Sequence, residues 1–194
     1  MPKITAATVA EHRAHQHRAV LDAAAELITE SGGHIPPLAE IAAKVGLARS
    51  SIYQYIASST DLIVQLLLDV IPVWNNTLAE QLAAAGDDPA KRLGVYVEGT
   101  FRLFADGLHA PLMNAARTVP EAFAHPRVRA EHDSLLPRVR GLLAGPDSDG
   151  ATALILIDAA IQRGAELVAE GRADRADTLA RLQRMAAALL PPTT

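Results

Sequence analysis

Apolar residues recur at helical spacing along most of the chain, so that successive members of each stripe lie three or four residues apart. The first stripe begins after His12 and ends at 31–33, where glycines allow the backbone to leave a helix. We expect residues 1–11, which lack this periodicity, to form a tail. A second long stripe begins near Thr60. Further stripes predict helical segments over about 89–106, 109–119, 126–143, 151–170 and 174–190.

Two prolines fall inside these predicted helices. Pro72 interrupts the stripe that begins near Thr60, and Pro137 lies within the segment 126–143. Because proline lacks a backbone N–H and clashes with the preceding turn, each of them predicts a kink or a break. The sequence GPDSDG at 145–150 predicts a loop before the last two helices.

Between the first two long stripes, Leu38–Ile56 contains two short apolar stripes that are separated by Gly46. Ala42 is small enough for two helices to cross closely, and Gly46 permits the left-handed backbone of a sharp corner. The apolar positions are Ile41, Ala42 and Val45 in the first stripe, and Ile52, Tyr55 and Ile56 in the second. This pattern predicts a helix-turn-helix.

The remaining positions of the second stripe carry polar side chains suited to DNA. We expect Arg49 and Gln54 to contact bases, because a guanidinium pairs with guanine and an amide pairs with adenine. We expect the hydroxyl groups of Tyr53, Tyr55 and Ser59 to contact phosphates. The candidate DNA-binding residues are Arg49, Ser50, Ser51, Tyr53, Gln54, Tyr55 and Ser59.

The block from about Arg18 to Leu67 resembles the DNA-binding domain of the TetR family of bacterial transcriptional regulators. The resemblance is carried by the strings AVLDAAAELITESG, EIAAKVGL, IYQYI and TDLI. It implies an all-α protein with an N-terminal arm and helix-turn-helix DNA-binding domain at 1–58. A helical ligand-binding and dimerisation domain at 59–194 would follow. It also implies a homodimer that binds a palindromic double-stranded DNA operator, usually as a repressor, and that responds to an unknown small-molecule effector.

The chain departs from the family pattern at several positions. Ala48 replaces the Ser or Thr that usually caps the recognition helix, Ser59 replaces a phosphate-contacting Lys, and Ile56 replaces a Phe. Pro37 replaces the Thr that usually opens the second helix. We therefore expect DNA binding with fewer phosphate contacts and a shallow salt dependence.

The composition agrees with helices and excludes several kinds of site. Hydrophobic residues form 49% of the chain but aromatic residues only 4%, which favours an all-α protein. The absence of cysteine excludes disulfides and thiolate metal sites. The net charge is −4, yet residues 1–60 carry five basic and five acidic side chains, so the acidic excess lies beyond them. With no apolar signal core at its start, the protein is expected to be cytoplasmic, without a membrane partner.

Enzyme motifs are missing from the sequence, so we expect no catalytic residues, no cofactor and no metal. Three histidines near the start, His12, His15 and His17, do not share one helical face and have no carboxylate to complete a metal site. The body is better explained as a ligand cavity, because polar side chains within apolar helices need partners. The candidate ligand-binding residues are Trp74, Tyr96, Thr100, Phe101, Phe104, Met113, Asn114, Arg117 and Asp158.

The segment 151–170 is apolar nearly all round until Gln162 and therefore needs cover on two sides. The body of the chain can cover one side, and a second copy can cover the other. We expect a homodimer through residues 151–190. An alternative function remains open, namely an all-helical small-molecule binding or catalytic protein whose helix-turn-helix has lost its role on DNA.

Overall fold

The computed structural model describes residues 6–105, 109–145 and 149–191, and the regular elements in these ranges are helical. This confirms the predicted all-α class. The elements in chain order are α1 (Ala6–Glu30), α2 (Leu38–Lys44), a 3₁₀ helix (Ser51–Gln54), α3 (Ser59–Ala84), α4 (Pro89–Ala105), α5 (His109–Arg117), α6 (Pro120–Ala124), α7 (Pro126–Asp133), α8 (Leu136–Leu143), α9 (Ala151–Ala169) and α10 (Arg175–Ala188).

The first helix begins earlier than the apolar pattern indicates. α1 includes residues 6–11, so the prediction of a tail was wrong for these residues, and residues 1–5 lie outside the described ranges. The added turn is rich in alanine, and Val9 and Ala10 are exposed. A helix extended by propensity alone buries no apolar face, and periodicity therefore does not detect it.

The two internal prolines behave differently. α3 continues through Pro72 to Ala84, so of the predicted kink or break, the break does not occur. Buried Ile71 and Leu78 flank Pro72 along the helix, and their packing stabilises the helical path on both sides of the missing hydrogen bond. By contrast, the predicted interruption of 126–143 is confirmed between α7 and α8, with Pro137 in the first turn of α8.

The chain divides into two compact units. The first combines the residues up to Asp69 with Pro111–His125. In this unit α1 packs against α2, and Lys44 forms ion pairs with Glu26 and Glu30 at 3.2 and 3.7 Å. The fully buried side chains that form its core include Val20, Ala24, Ile28, Ile41, Ile52, Ile56, Leu62 and Ile63.

A glycine in the α1–α2 loop brings α5 close within this first unit. Gly33 has a φ of +114°, and a Cβ added there would lie 2.7 Å from Cβ of Asn114 and 2.9 Å from the carbonyl oxygen of Pro111. Only glycine satisfies both the backbone conformation and this approach.

The second unit contains Val70–Ala110 and the residues from Pro126 onward. Helices α4, α9 and α10 pack against one another, and α8 packs on α4 and α9. Their core is centred on Phe101, with Leu93, Val97, Ile157 and Ile161 around it. Asn75 of α3 donates to the carbonyl of Glu131 at 2.7 Å and to the Ser134 hydroxyl at 3.0 Å, which ties α3 to the α7–α8 connection.

α3 is the one helix in the described ranges whose length and composition would permit it to cross a membrane. Of its most apolar window, 44% is buried inside the protein. Core helices of soluble proteins meet the same test, so this property alone carries little weight.

Candidate DNA-binding segment and ligand groove

The predicted corner after α2 is confirmed. Gly46 has a φ of +70° and donates its N–H to the Ala43 carbonyl at 3.2 Å, while Leu47 donates to the Ala42 carbonyl at 2.8 Å. These two bonds form a Schellman motif, which ends the helix on a left-handed glycine. Ala42 and Ile41 are buried beneath the corner, as the apolar pattern predicts.

The segment after the corner, Ser51–Gln54, is a 3₁₀ helix of four residues rather than the predicted second α-helical stripe. Its N-cap residue, Ser50, makes no side-chain capping bond, and Ala48 cannot supply one. A length of four residues is typical of the tighter 3₁₀ form. Two of the three expected apolar positions, Ile52 and Ile56, are nevertheless fully buried, whereas Tyr55 is half-buried. We call Ser51–Gln54 the recognition segment.

Most of the candidate DNA-binding side chains lie on the surface of the first unit. Tyr53 is 57% exposed although it is a large aromatic residue. Ser51 and Tyr55 are half-buried, and the Tyr55 ring stacks on the His17 ring with centroids 6.1 Å apart. The exposed candidates are Arg49, Ser50, Tyr53, Gln54 and Ser59. Their contacts with DNA remain predictions.

The cations of the first unit differ in how far acidic neighbours neutralise them. Hydrogen bonding to Glu26 raises the pKa of Lys44, and Asp69 and Asp22 raise the pKa of Arg18 against the opposing effect of burial. Arg49 has no ion-pair partner within the described ranges. A guanidinium without a carboxylate partner is available to a phosphate or a base.

Sequence reasoning missed the role of α1 beside the recognition segment. Arg13 donates from Nη2 to the carbonyl oxygen of Gln54 at 3.3 Å. Arg13 and His17 lie four residues apart and therefore share a face of α1, which is the signal that the sequence offered.

A groove of about 700 Å³ lies within the second unit, between the second half of α3 and α4. Its walls are mostly apolar, and its polar side chains include an ion pair between Arg102 and Glu98 at 2.5 Å. Such a volume suits a small organic ligand. The lining residues are Val73, Trp74, Thr77, Leu78, Gln81, Ala84, Ala85, Val95, Glu98, Gly99, Arg102, Leu103 and His109.

Of the nine candidate ligand-binding residues, Trp74 lines this groove. In the second unit, Tyr96, Thr100 and Phe101 are buried, while Phe104 and Asp158 are partly buried. In the first unit, Met113 is buried, while Asn114 and Arg117 are exposed. The role of all nine residues in ligand binding remains a prediction.

The groove lies on the face of α4 opposite its core face. The groove is lined on α4 by residues at helical spacing, Val95, Glu98, Gly99 and Arg102. The aromatic candidates on α4, Tyr96, Phe101 and Phe104, lie on the other face, which packs in the core. The second amphipathic face was visible in the sequence, but its partner on α3 was not.

Two of the candidates, buried Tyr96 and partly buried Asp158, form a pair. The Tyr96 hydroxyl donates to Oδ1 of Asp158 at 2.6 Å. Burial raises the pKa of Asp158, and the hydrogen bond from Tyr96 partly offsets this rise. Burial, followed by the charge of Asp158, raises the pKa of Tyr96 well above its usual value, so the hydroxyl keeps its proton as a donor.

Comparison with solved structures identifies the fold. The chain superposes on the transcriptional regulator FadR from Bacillus subtilis, solved with stearoyl-CoA, with a TM-score of 0.61, 19% identity and 89% and 97% of the two chains covered. The TetR-like regulator LfrR from Mycobacterium smegmatis, solved with proflavine, superposes with a TM-score of 0.61 at 21% identity, and 92% of this chain and 99% of LfrR are covered. A TetR-like regulator from Rhodococcus sp. RHA1 superposes with a TM-score of 0.60 at 24% identity, and 89% of this chain and 93% of that regulator are covered.

No protein-family model and no curated protein sequence matches the chain. The structural neighbours include many TetR-family transcriptional regulators, so the resemblance drawn from the sequence motifs is confirmed at the level of the fold.

Proposed function

We propose that this chain is a ligand-responsive transcriptional regulator of the TetR type, a repressor that acts as a homodimer on a palindromic double-stranded DNA operator. The observation that carries the proposal is the exposed recognition segment that follows the Gly46 corner. It presents Tyr53 and Gln54 to solvent, and nearby Arg49 has no ion-pair partner among the residues that the structure describes. A regulator needs such a surface of donors, whereas a purely structural bundle does not.

The proposed domain arrangement assigns DNA binding to 1–58, and ligand binding and dimerisation to 59–194. Arg49 and Gln54 would contact base edges, while Ser50, Ser51, Tyr53, Tyr55 and Ser59 would contact the backbone. We infer that the protein works in the cytoplasm without catalytic activity, cofactor or membrane partner.

Dimerisation is proposed through α9 and α10. On α9, Ile155 and Leu156 are 68% and 59% exposed, and Ala159 lies between them on the same solvent-facing side. Met185 of α10 is also exposed. Large apolar side chains on one helix face favour burial against a second copy. The two-fold symmetry of such a dimer is the reason for expecting a palindromic operator.

The groove is the proposed effector site. Its mostly apolar wall suits an organic molecule, and two structural neighbours were solved with such ligands, stearoyl-CoA for FadR and proflavine for LfrR. An effector changes DNA affinity only if it binds two arrangements of the protein with different affinity. A coupling free energy of about 1–3 kcal/mol would change DNA affinity about 5–150-fold.

The proposal is tested by selecting duplexes from a random-sequence library with the purified protein, followed by footprinting. A protected site with dyad symmetry is expected, together with a dimer mass by light scattering at micromolar concentration. A monomer mass, or footprints without dyad symmetry, would contradict the dimeric mode of binding.

One observation favours the alternative of a helical small-molecule binding or catalytic protein with a vestigial helix-turn-helix. The recognition segment has only four residues and no side-chain cap, which is short for a helix that enters a major groove. In that case no duplex would be enriched, while an apolar fluorescent probe would still bind in the groove.

A further inference from the structure

The recognition segment is too short to fix its own position. A helix of four residues consists almost entirely of termini, whose carbonyl groups lack partners within the helix. The carbonyls of Gln54 and Tyr55 at its end instead accept bonds from side chains of other elements. Arg13 of α1 donates to the first at 3.3 Å, and Gln65 of α3 donates to the second at 3.1 Å.

The amide of Gln65 is satisfied at both ends. Its Nε2 donates to the Tyr55 carbonyl and, at 3.0 Å, to Oδ2 of Asp61. Its Oε1 lies 2.5 Å from Nε2 of His17. Because both partners of the amide nitrogen are acceptors, the orientation of the amide is determined, and Nε2 of His17 must carry the proton that Oε1 accepts.

Asp61 extends the same network to the start of α3. Its Oδ2 also accepts from the backbone N–H of Ala57 at 2.8 Å, while its own N–H donates to the Ser58 hydroxyl at 3.1 Å. Gln65 thereby connects α1, the end of the recognition segment and the capped start of α3. Gln65 and its side-chain partners are half-buried, and both amide hydrogens and the amide oxygen of Gln65 have partners, so this part of the network favours one arrangement over others.

We propose that Gln65 is a positioning residue for DNA binding. Its amide holds the Tyr55 carbonyl against α1 and α3, so that Tyr53 and Gln54 project from the recognition segment in a single orientation. Gln65 need not contact DNA itself. The inference rests on the proposed function for its consequence on DNA, but the positioning is a property of the protein alone.

The DNA arm of the test compares Gln65→Leu and Gln65→Glu with wild type on duplexes selected by the wild-type protein. Gln65→Leu removes both halves of the amide, whereas Gln65→Glu keeps an acceptor for His17 and removes both N–H donors. We expect each variant to lose about tenfold in affinity, as for a lost side-chain hydrogen bond. Asn76→Leu on α3, which removes an exposed amide from the second unit outside the groove lining, should bind like wild type.

Equal affinity of Gln65→Glu and wild type would overturn the inference, because the bond to the Tyr55 carbonyl is then dispensable. The ¹⁵N NMR chemical shifts of the His17 imidazole, which report which ring nitrogen carries the proton, supply a spectroscopic check. Wild type and Gln65→Glu should show a protonated Nε2, and Gln65→Leu should lose this preference.

The second arm needs no DNA. The amides of Tyr55 and Ile56 donate to the Ile52 carbonyl at 2.9 and 3.0 Å, and their hydrogen exchange reports the order of the segment. We expect faster exchange at both amides in Gln65→Leu, with α1 unchanged, and wild-type exchange in Asn76→Leu. If wild type selects no duplex, the proposed function fails, but this arm still decides the inference, because unchanged exchange would overturn it.

Discussion

The corner after α2 and the groove beside α4 are held by different kinds of contact. At the corner, Gly46 and Leu47 bond to carbonyls of the preceding turn, so the conformation depends on a few adjacent residues. At the groove, Gly99 of α4 faces Leu78 of α3, and the shape depends on how two helices pack. Substitutions that restrict the backbone should therefore disrupt the corner, whereas added side-chain volume should alter the groove.

The largest effect is expected at Gly33, where a left-handed backbone and a close approach coincide. Gly33→Ala combines about 1–2 kcal/mol of backbone strain with about 1–3 kcal/mol of overpacking against Asn114 and Pro111, or about 2–5 kcal/mol in total. Denaturant unfolding measures the loss. If Gly33→Ala cost no more than a substitution at an open left-handed glycine, the close approach to α5 would be disproved.

Gly46 at the corner is such an open left-handed glycine and serves as the comparison for Gly33. A Cβ at Gly46 would meet nothing within 4 Å, so Gly46→Ala is penalised by its φ of +70° alone. We expect a loss of about 1–2 kcal/mol in unfolding free energy. DNA affinity should fall as well, because the corner places the recognition segment. Wild-type stability for this variant would mean that the corner is not the constraint proposed.

The groove is tested by a matched pair of substitutions on α4. A Cβ at Gly99 would lie 3.2 Å from Cδ1 of Leu78, whereas one at Gly94 would meet nothing within 4 Å. Gly94→Ala should stabilise the helix by about 0.5–1 kcal/mol. Gly99→Ala should gain less and should weaken the binding of 8-anilinonaphthalene-1-sulfonate, followed by fluorescence titration. Equal dye binding by both variants would place the dye outside the groove.

The smallest effect concerns the hydrogen-bonded pair of buried Tyr96 and partly buried Asp158. Burial raises the pKa of Asp158 in the folded state, so the charged form is disfavoured there. Stability therefore declines as pH rises from the unfolded pKa through the folded one. Asp158→Asn keeps an acceptor for Tyr96 without the charge and should be slightly more stable than wild type at neutral pH, with the advantage vanishing in acid. Urea unfolding from neutral to acidic pH measures the stability difference between the two proteins. A stability advantage of Asp158→Asn that grows in acid would contradict a raised pKa of Asp158.

These contrasts explain which features were predictable. The spacing of Ala42 and Gly46 predicted the corner because its hydrogen bonds are local. The 3₁₀ form of the recognition segment was missed, because Ile52 and Ile56 bury equally well in a tighter turn.

The groove was largely missed for a different reason. Aromatic side chains such as Phe101 were predicted to line the ligand site because they are large and apolar. The same properties favour burial in the core, where Phe101 lies and where no ligand has room. The groove wall uses Gly99 and the Glu98–Arg102 pair, whose positions become significant only when α3 lies opposite. Tertiary packing of this kind leaves no local pattern.

We propose that the recognition segment, together with Arg49 two residues before it, binds duplex DNA with sequence preference, and substitution of Arg49 tests this. Arg49→Ala and wild type are titrated by fluorescence anisotropy against a selected duplex and a scrambled one at the same salt concentration. We expect Arg49→Ala to lose about 1–3 kcal/mol on the selected duplex and to relax the preference at one position per half-site. Equal losses on the selected and scrambled duplexes would contradict base contact by Arg49, and a wild-type protein without preference would contradict the claim itself.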